Sequence, residues 1–242
     1  MEIDRHHFET IESTNTWAKE HSHEFDKKKL TVITADHQTR GRGRFNRKWI
    51  SPTRSGIIMT FFFRVDAQQP DPINIPQILA LSAAHVLEKK GFEIAIKWPN
   101  DLLLGGKKLC GILCETSRTT SYTDITIGIG VNINTEQDVL DNIDRPAISL
   151  KISSGKEWDV EELTSLIEER FAHNLEIFLE KGFAPFHPYL KRHLAFVGEP
   201  IRLEDGVNTW KGTLKGLNAD GSIAILLGDG TVKDLYTGEI PY

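Results

Sequence analysis

Residues 40–48 read Arg-Gly-Arg-Gly-Arg-Phe-Asn-Arg-Lys and run into Trp49. Five positive charges fall in nine residues, with no acid between Asp36 and Asp66. The whole chain carries a net charge of −5, so this local knot of charge needs a local anion to explain it. Gly41 and Gly43 keep the segment pliable, and backbone N–H groups can turn toward the same anion. A second charged group is Lys97-Trp98-Pro99-Asn100-Asp101, where a lysine and an aspartate bracket a rigid aromatic–proline elbow; Lys108 follows. Such an arrangement can hold a charge pair beside a reacting phosphate.

Each motif also has a plainer reading. The basic loop could be a solvated surface loop or an Arg-Gly-Arg hook for the DNA minor groove. The hook fits poorly, because no proline follows Arg44, the flanks read as strands and the net charge is negative. Ser13-Thr14-Asn15 has the composition of an N-cap; the same geometry presents hydroxyl and N–H donors to a carbonyl or an anion. Lys97–Asp101 could be a surface turn, and Lys108 a solvated edge lysine. Gly111, inside an apolar strand, marks close approach of a ligand or another backbone. Gly128-Ile129-Gly130-Val131-Asn132 is no dinucleotide fingerprint, since its third glycine would fall at Ile133. It does permit close approach to a flat ligand, with Asn132 as a polar reader. No phosphate-loop, nucleophile-elbow or His-Glu-x-x-His motif is present, and the nine histidines lack zinc-site spacing.

The elements that must position these residues follow from periodicity and turn chemistry. A short helix is predicted over about Thr14–His23, a buried strand over Leu30–Ala35 and a second over Gly56–Val65. Apolar residues at helical spacing fill Pro76–Lys90, ending at Gly91. Glu93–Lys97 alternates as a strand. Leu102–Leu104, Gly105-Gly106 and Lys107–Glu115 form a hairpin signature, and Asp124–Asn132 is another strand. Asp159 with Glu162 caps a long helix to about Lys181. Phe183–Phe196 reads as helical, interrupted near Pro188. Beyond Pro200, short β-runs broken by Asp205-Gly206, Asp220-Gly221 and Gly228-Asp229-Gly230 suggest a small five-stranded barrel or sandwich. The domains are expected at residues 1–196 and 197–242.

Composition limits the function classes. The chain has 242 residues, 39% of them hydrophobic and 26% charged, enough for a real core. The polar start, Met1–Glu12, carries no secretory signal, and the most apolar run, Gly56–Phe63, is too short to cross a membrane. Cys110 and Cys114, on one strand, would have Cα atoms roughly 13 Å apart, too far for a disulfide. A reduced, cytoplasmic protein is the simplest reading.

Taken in order, Ser13-Thr14-Asn15, Gln38, Gly41-Arg42-Gly43-Arg44-x-x-Arg47-x-Trp49, Lys97-Trp98-Pro99-Asn100-Asp101, Lys108-Leu109-x-Gly111 and Gly128-x-Gly130-x-Asn132 resemble the biotin–protein ligases. The resemblance covers nearly the whole chain. It implies an α+β fold, a mixed sheet flanked by helices of the class II synthetase-like type, with a small C-terminal SH3-like β-barrel. The family's repressor-type members carry an N-terminal winged helix-turn-helix, for which the chain leaves no sequence, so no specific DNA binding is expected.

The resemblance also implies a two-step reaction. Biotin and ATP give biotinyl-5′-AMP and pyrophosphate, with Mg²⁺; an acceptor lysine on a biotin carboxyl carrier domain, as in acetyl-CoA carboxylase, then takes the biotin and releases AMP. Ser13 and Thr14 would donate to the ureido carbonyl and Gln38 would accept from its N–H. Asn15, Gly41, Arg42 and Trp49 complete the biotin site, and Gly111 and Gly128 leave room for the tail. Lys108 would sit at the carboxylate and α-phosphate, with Arg42, Arg44, Arg47 and Lys97 as counter-charges and Asn132 on the adenylate. Asp101 is open to three roles: orienting Lys97, helping to hold Mg²⁺, or deprotonating the acceptor lysine. Two departures from the family pattern stand out. Asn46 replaces a usual glycine, and Ala147 stands where repressor-type relatives place an aromatic over the adenine. A lipoate–protein ligase, a non-catalytic biotin or nucleotide sensor and a nucleic-acid-binding module are the alternatives. The retained lysines disfavour the sensor and the acidic balance the nucleic-acid module.

Overall fold

The computed structural model describes residues 1–69 and 72–241, with Asn46 described in its main chain only. The elements are β1 (Ile3–Ile11), α1 (Thr14–Glu20), β2 (Leu30–Gln38), β3 (Gly56–Asp66), α2 (Ile75–Lys89), β4 (Ile94–Lys97), β5 (Asp101–Leu104), β6 (Lys107–Arg118), β7 (Tyr122–Asn132), α3 (Gln137–Leu140), α4 (Leu150–Ser154), α5 (Val160–Lys181), α6 (His187–His193), β8 (Pro200–Glu204), β9 (Thr209–Leu217), β10 (Ile223–Leu227) and β11 (Val232–Leu235). The first seven strands form one mixed sheet in the order β1-β2-β3-β7-β6-β5-β4. Only the β1–β2 pairing is parallel among those described.

The central strand β3 is buried on both faces, which is why its sequence is a continuous apolar run. Ile57, Met59, Phe61, Phe63 and Val65 belong to the main core with α2 and α5, where the Phe61 and Phe171 rings lie 4.5 Å apart. The alternate residue Phe62 packs with Ala18, Phe25 and Ile33 in a smaller cluster with Trp17 of α1. β7 obeys the same two-sided rule. Ile125, Ile127, Ile129 and Val131 join the main core, which places Thr126, Gly128, Gly130 and Asn132 on the opposite face. That face carries the site.

Turn and cap chemistry set the connections. Gly105 and Gly106, at φ 57° and 78°, make the two-residue turn between β5 and β6. Asp159 caps α5 by accepting a hydrogen bond from the Glu162 N–H, 3.0 Å away. The Trp98–Pro99 peptide bond is cis in the β4–β5 turn.

One strand was missed and three expectations are corrected. The polar start of the chain, which has no period to assign, forms β1 as a parallel edge strand on β2, pairing Ile3 with Leu30 and Ile11 with Gln38. The first helix ends at Glu20, where the His21 ring takes the Trp17 carbonyl, and a 3₁₀ turn follows at Ser22–Glu24. Pro188 does not interrupt a helix but sits in the first turn of α6, where its missing N–H has no intrahelical partner to lose. The C-terminal β region has four strands among the described residues, in one antiparallel sheet ordered β11-β10-β9-β8. Its remaining segment pairs with it only by a bridge between Glu204 and Glu239.

This second sheet is fastened to the first half of the chain by side chains reaching main-chain carbonyls. Asn74 Nδ2 donates to Asp220 O at 2.9 Å, and both Gln77 Nε2 and Trp98 Nε1 donate to Gly221 O, at 2.9 and 3.0 Å. Gly221 is needed there: its φ is +85°, and a Cβ would fall 2.4 Å from Asn74 Oδ1. No helix among the described residues is long and apolar enough to cross a membrane.

Candidate active site

Lys97 ends β4 and Asp101 begins β5, and the hairpin register sets them opposite each other. The Asp101 carboxylate lies between two ammonium groups. Lys108 Nζ donates to Oδ1 at 2.6 Å, and Lys97 Nζ is 3.7 Å from Oδ2. Only 2% of the Lys97 side chain, 10% of Asp101 and 15% of Lys108 is exposed. Burial pushes the Lys97 ammonium down to about 8; Lys108 and Arg145 push the same way, and Asp101 and Glu239 oppose them. Lys108 is fixed by its own main chain, donating its N–H to Pro146 O and accepting from Ile148 N, both at 2.9 Å. Ala147 is therefore its bridge partner. Asn132 Nδ2 donates to Ile148 O at 3.2 Å.

The basic loop is a closed hairpin. Trp49 N donates to Gly41 O at 2.9 Å, Gly43 N to Arg47 O at 2.7 Å, and Arg42 bridges Lys48. A Cβ on Gly41 would lie 2.6 Å from Trp49 O. The left-handed residue inside is Phe45, at φ 56°; the side chain of Asn46, which replaces the family's usual glycine, lies outside the described residues. The three arginines go to three places. Arg42 Nη2 donates to Thr16 Oγ1 at 3.2 Å and lies 3.7 Å from Glu115. Arg44 Nη1 donates to Asn100 Oδ1 at 3.2 Å, and burial lowers its pKa. Arg47 pairs with Glu239 from beyond β11.

Trp49 lays its ring on the sheet where β6 and β7 pair Gly111 with Gly130. A Cβ on Gly130 would lie 2.3 Å from Trp49 Cε2, and one on Gly111 3.3 Å from Cζ3. The buried indole N–H has no hydrogen-bond partner among the described residues.

The far end is built of hydroxyl and amide groups, with the Arg42–Glu115 pair at its edge. Ser13 Oγ caps α1 through the Thr16 N–H at 3.4 Å. Thr14 donates twice to Gln38 Oε1, from N at 2.7 Å and Oγ1 at 3.0 Å. Thr60 Oγ1 lies 2.7 Å from both Thr14 Oγ1 and Asn15 Oδ1. Asn15 Nδ2 reaches Leu113 O and Glu115 Oε2, both at 3.2 Å.

Each residue assigned from the sequence to the catalytic, biotin or adenylate site lines one cavity, except Gly41, which lies against Trp49. Three expected details change. Thr14, expected to donate to a ligand carbonyl, gives both its N–H and its hydroxyl proton to Gln38 Oε1. Gln38 Oε1 already accepts two hydrogen bonds, so the side of Gln38 left for a ligand is its NH₂, a donor. The space over Gly128 holds Asn15, whose Oδ1 would lie 2.2 Å from a Cβ there, and not an open path for an apolar tail. Sequence reading missed Thr60, Glu115, Arg145 and Glu239, which carry no motif and reach the site through long-range pairing. Arg145 and Glu239 line the cavity.

The cavity thus joins an end of hydroxyl and amide groups, an apolar middle that includes Trp49, Ile50 and Ile58, and a cationic end. That gradient suits an acid with a polar head and apolar body whose carboxylate must meet a phosphate. Among the described residues no three His, Cys, Asp or Glu side chains gather as a metal cage. The cavity's two carboxylates, Asp101 and Glu239, are each engaged by a cationic side chain.

Residues 7–132 match the model of the biotin/lipoate A/B protein ligase family. Over 232 residues the chain is 30% identical to the bifunctional ligase/repressor BirA of Escherichia coli K12, covering 95% of this chain and 71% of that protein. The biotin–[acetyl-CoA-carboxylase] ligase of Paracoccus denitrificans is 29% identical over 202 residues, 80% of this chain and 82% of that one. The solved biotin protein ligase of Aquifex aeolicus in complex with biotin and ATP superposes with a TM-score of 0.83 at 30% identity, covering 98% of this chain and 97% of that one.

Proposed function

The chain belongs to the biotin/lipoate A/B protein ligase family, and from that premise we propose that it is a biotin–protein ligase that charges a carrier domain. A biotin carboxylate oxygen attacks the α-phosphorus of ATP; the α–β phosphoanhydride breaks and pyrophosphate leaves. The lysine amine of a biotin carboxyl carrier domain, as in acetyl-CoA carboxylase, then attacks the carbonyl of biotinyl-5′-AMP. An amide forms, the amine loses a proton and AMP departs.

The observation that carries this reading is the pairing of Lys108 and Lys97 on one buried carboxylate at the cationic end of the cavity. A carboxylate and a triphosphate repel each other, and fixed cations that offset both are the expected main source of acceleration. Asp101 orients the two lysines. Lys108 meets the carboxylate and α-phosphate; Arg44 and Arg47 take the remaining phosphates. Asn132 serves the adenylate. Mg²⁺ would ride on the triphosphate, with Asp101 the carboxylate nearest the lysines, and would supply further positive charge. At the other end, Ser13, Thr14, Asn15 and the Gln38 NH₂ receive the ureido ring, while Trp49 covers the apolar body. Arg42, held by Thr16 and Glu115, closes the loop at the biotin end. Ala147, beside Lys108, leaves the adenine resting on small apolar groups.

The partner that this reading requires is a protein acceptor, not DNA. Both cysteines are free, which suits a reducing cytoplasm. The test is transfer: incubation with biotin, MgATP and a purified carrier domain should raise the carrier mass by one biotin, and a carrier with its target lysine changed to arginine should stay unmodified. Modification of neither carrier would count against the proposal.

A further inference from the structure

Glu239 is a carboxylate at the edge of a cavity otherwise rich in cations, and it comes from the far end of the sequence. Its backbone is held firmly. Glu239 and Glu204 exchange two main-chain hydrogen bonds, of 2.8 and 2.9 Å. Gly238 before it is pressed so closely that a Cβ would lie 2.5 Å from Leu203 Cδ2, and Ile240 after it is buried. Its side chain meets the Arg47 guanidinium and is 15% exposed, against 43% for Arg47. The acid is thus the anchored partner and the arginine, on a glycine-bearing loop, the pliable one. Glu239 also lies close enough to act on Arg44 and Lys97. Phosphate affinity alone would exclude an acid from this place, because it repels the triphosphate. Orientation of Arg47 is what it supplies.

We infer that Glu239 is a positioning residue for adenylation: it holds Arg47, and with it the basic loop, over the phosphate end of the cavity, so that the segment beyond β11 completes the ATP site. This rests on the adenylation reading given above. A Glu239→Gln chain keeps the size of the side chain and loses its charge; Glu239→Asp keeps the charge and shortens the reach.

Biotin-dependent pyrophosphate exchange on the full chain is the test, with KM for ATP and for biotin measured separately in wild type and both variants. Trypsin cleavage of the loop without ligand is followed alongside, with thermal melts to check folding. For Glu239→Gln, KM for ATP is expected to rise about fivefold, as for loss of a partly exposed ion pair. KM for biotin and the melt stay at wild type, loop cleavage quickens, and Glu239→Asp recovers part of the ATP affinity. An unchanged KM for ATP with unchanged cleavage would overturn the inference. So would a lowered KM, which would mean that the carboxylate competes with the phosphates. Absence of exchange in the wild type would instead sink the adenylation reading, and the cleavage arm would still decide whether Glu239 holds the loop.

Discussion

Asp101 divides its carboxylate between two lysines, taking Lys108 at 2.6 Å on one oxygen and Lys97 at 3.7 Å on the other. Neither lysine is near Asp101 by chance. The tight β4–β5 hairpin places Lys97 opposite it, and the β5–β6 hairpin brings Lys108 back to it. Two ammonium groups on one acid leave the trio with excess positive charge in a largely dry setting, where an anionic substrate group completes the balance.

Removing a fixed cation should strike chemistry and spare the fold. Lys108→Ala and Arg44→Ala are each expected to slow biotin-dependent pyrophosphate exchange by about 10²–10³-fold, with unchanged thermal melts. Wild-type rates in either variant would remove that residue from the site.

The depressed Lys97 pKa has two pH signatures. The cation is present below about 8 and lost above it, so adenylation that uses it should decline as pH rises through about 8. Lys97→Arg, which stays charged, should move that decline upward. For stability, the unfolded lysine at 10.5 binds its proton more tightly than the folded one. Lys97 therefore adds stability as pH rises from about 8 to 10.5, and this contribution is lost as pH falls back through 8. Denaturant titrations of Lys97→Met across that window should lack the rise.

Gly130 exists for Trp49. Its side chain position is filled by the indole, 2.3 Å from a Cβ, so Gly130→Ala must push the ring aside or strain the sheet. Overpacking of this kind costs about 1–3 kcal/mol. Chemical denaturation should show that loss, and calorimetry should show weaker biotin binding. Wild-type affinity would mean that Trp49 does not cover the ligand.

The hairpin loop carries five like charges and two glycines within residues 39–48. Bound biotinyl-5′-AMP should neutralise the charge and shield the loop, so protease cleavage there should fall sharply when it is added. Equal cleavage with and without it would contradict loop closure.

Much of this was legible in the sequence because it is local. The glycine pair of the β5–β6 turn, the Asp159 cap and the two-sided burial of β3 follow from short-range pattern. The site residues announced themselves through dense charge and close motif spacing, and the fold brings them to one cavity. What the sequence hid is non-local. β1 has no apolar period because it is an edge strand with polar residues on both faces. Gly128 serves Asn15, and Gln38 is oriented by Thr14, because partners 24 and more residues away decide which space and which lone pairs remain. Glu239 reaches Arg47 across 192 positions, a contact that no motif encodes. The expected fifth C-terminal strand reduces to a single bridge, since turn spacing counts β-runs but not whether each one finds a partner.

The central claim is that the paired lysines and the basic loop join biotin to the α-phosphate of ATP. Its most direct test is exchange of labelled pyrophosphate into ATP, with biotin, with lipoate and with no acid, in the presence of Mg²⁺. Exchange with biotin alone is the predicted result. Exchange with lipoate in place of biotin, or none with either acid from folded protein, would contradict it.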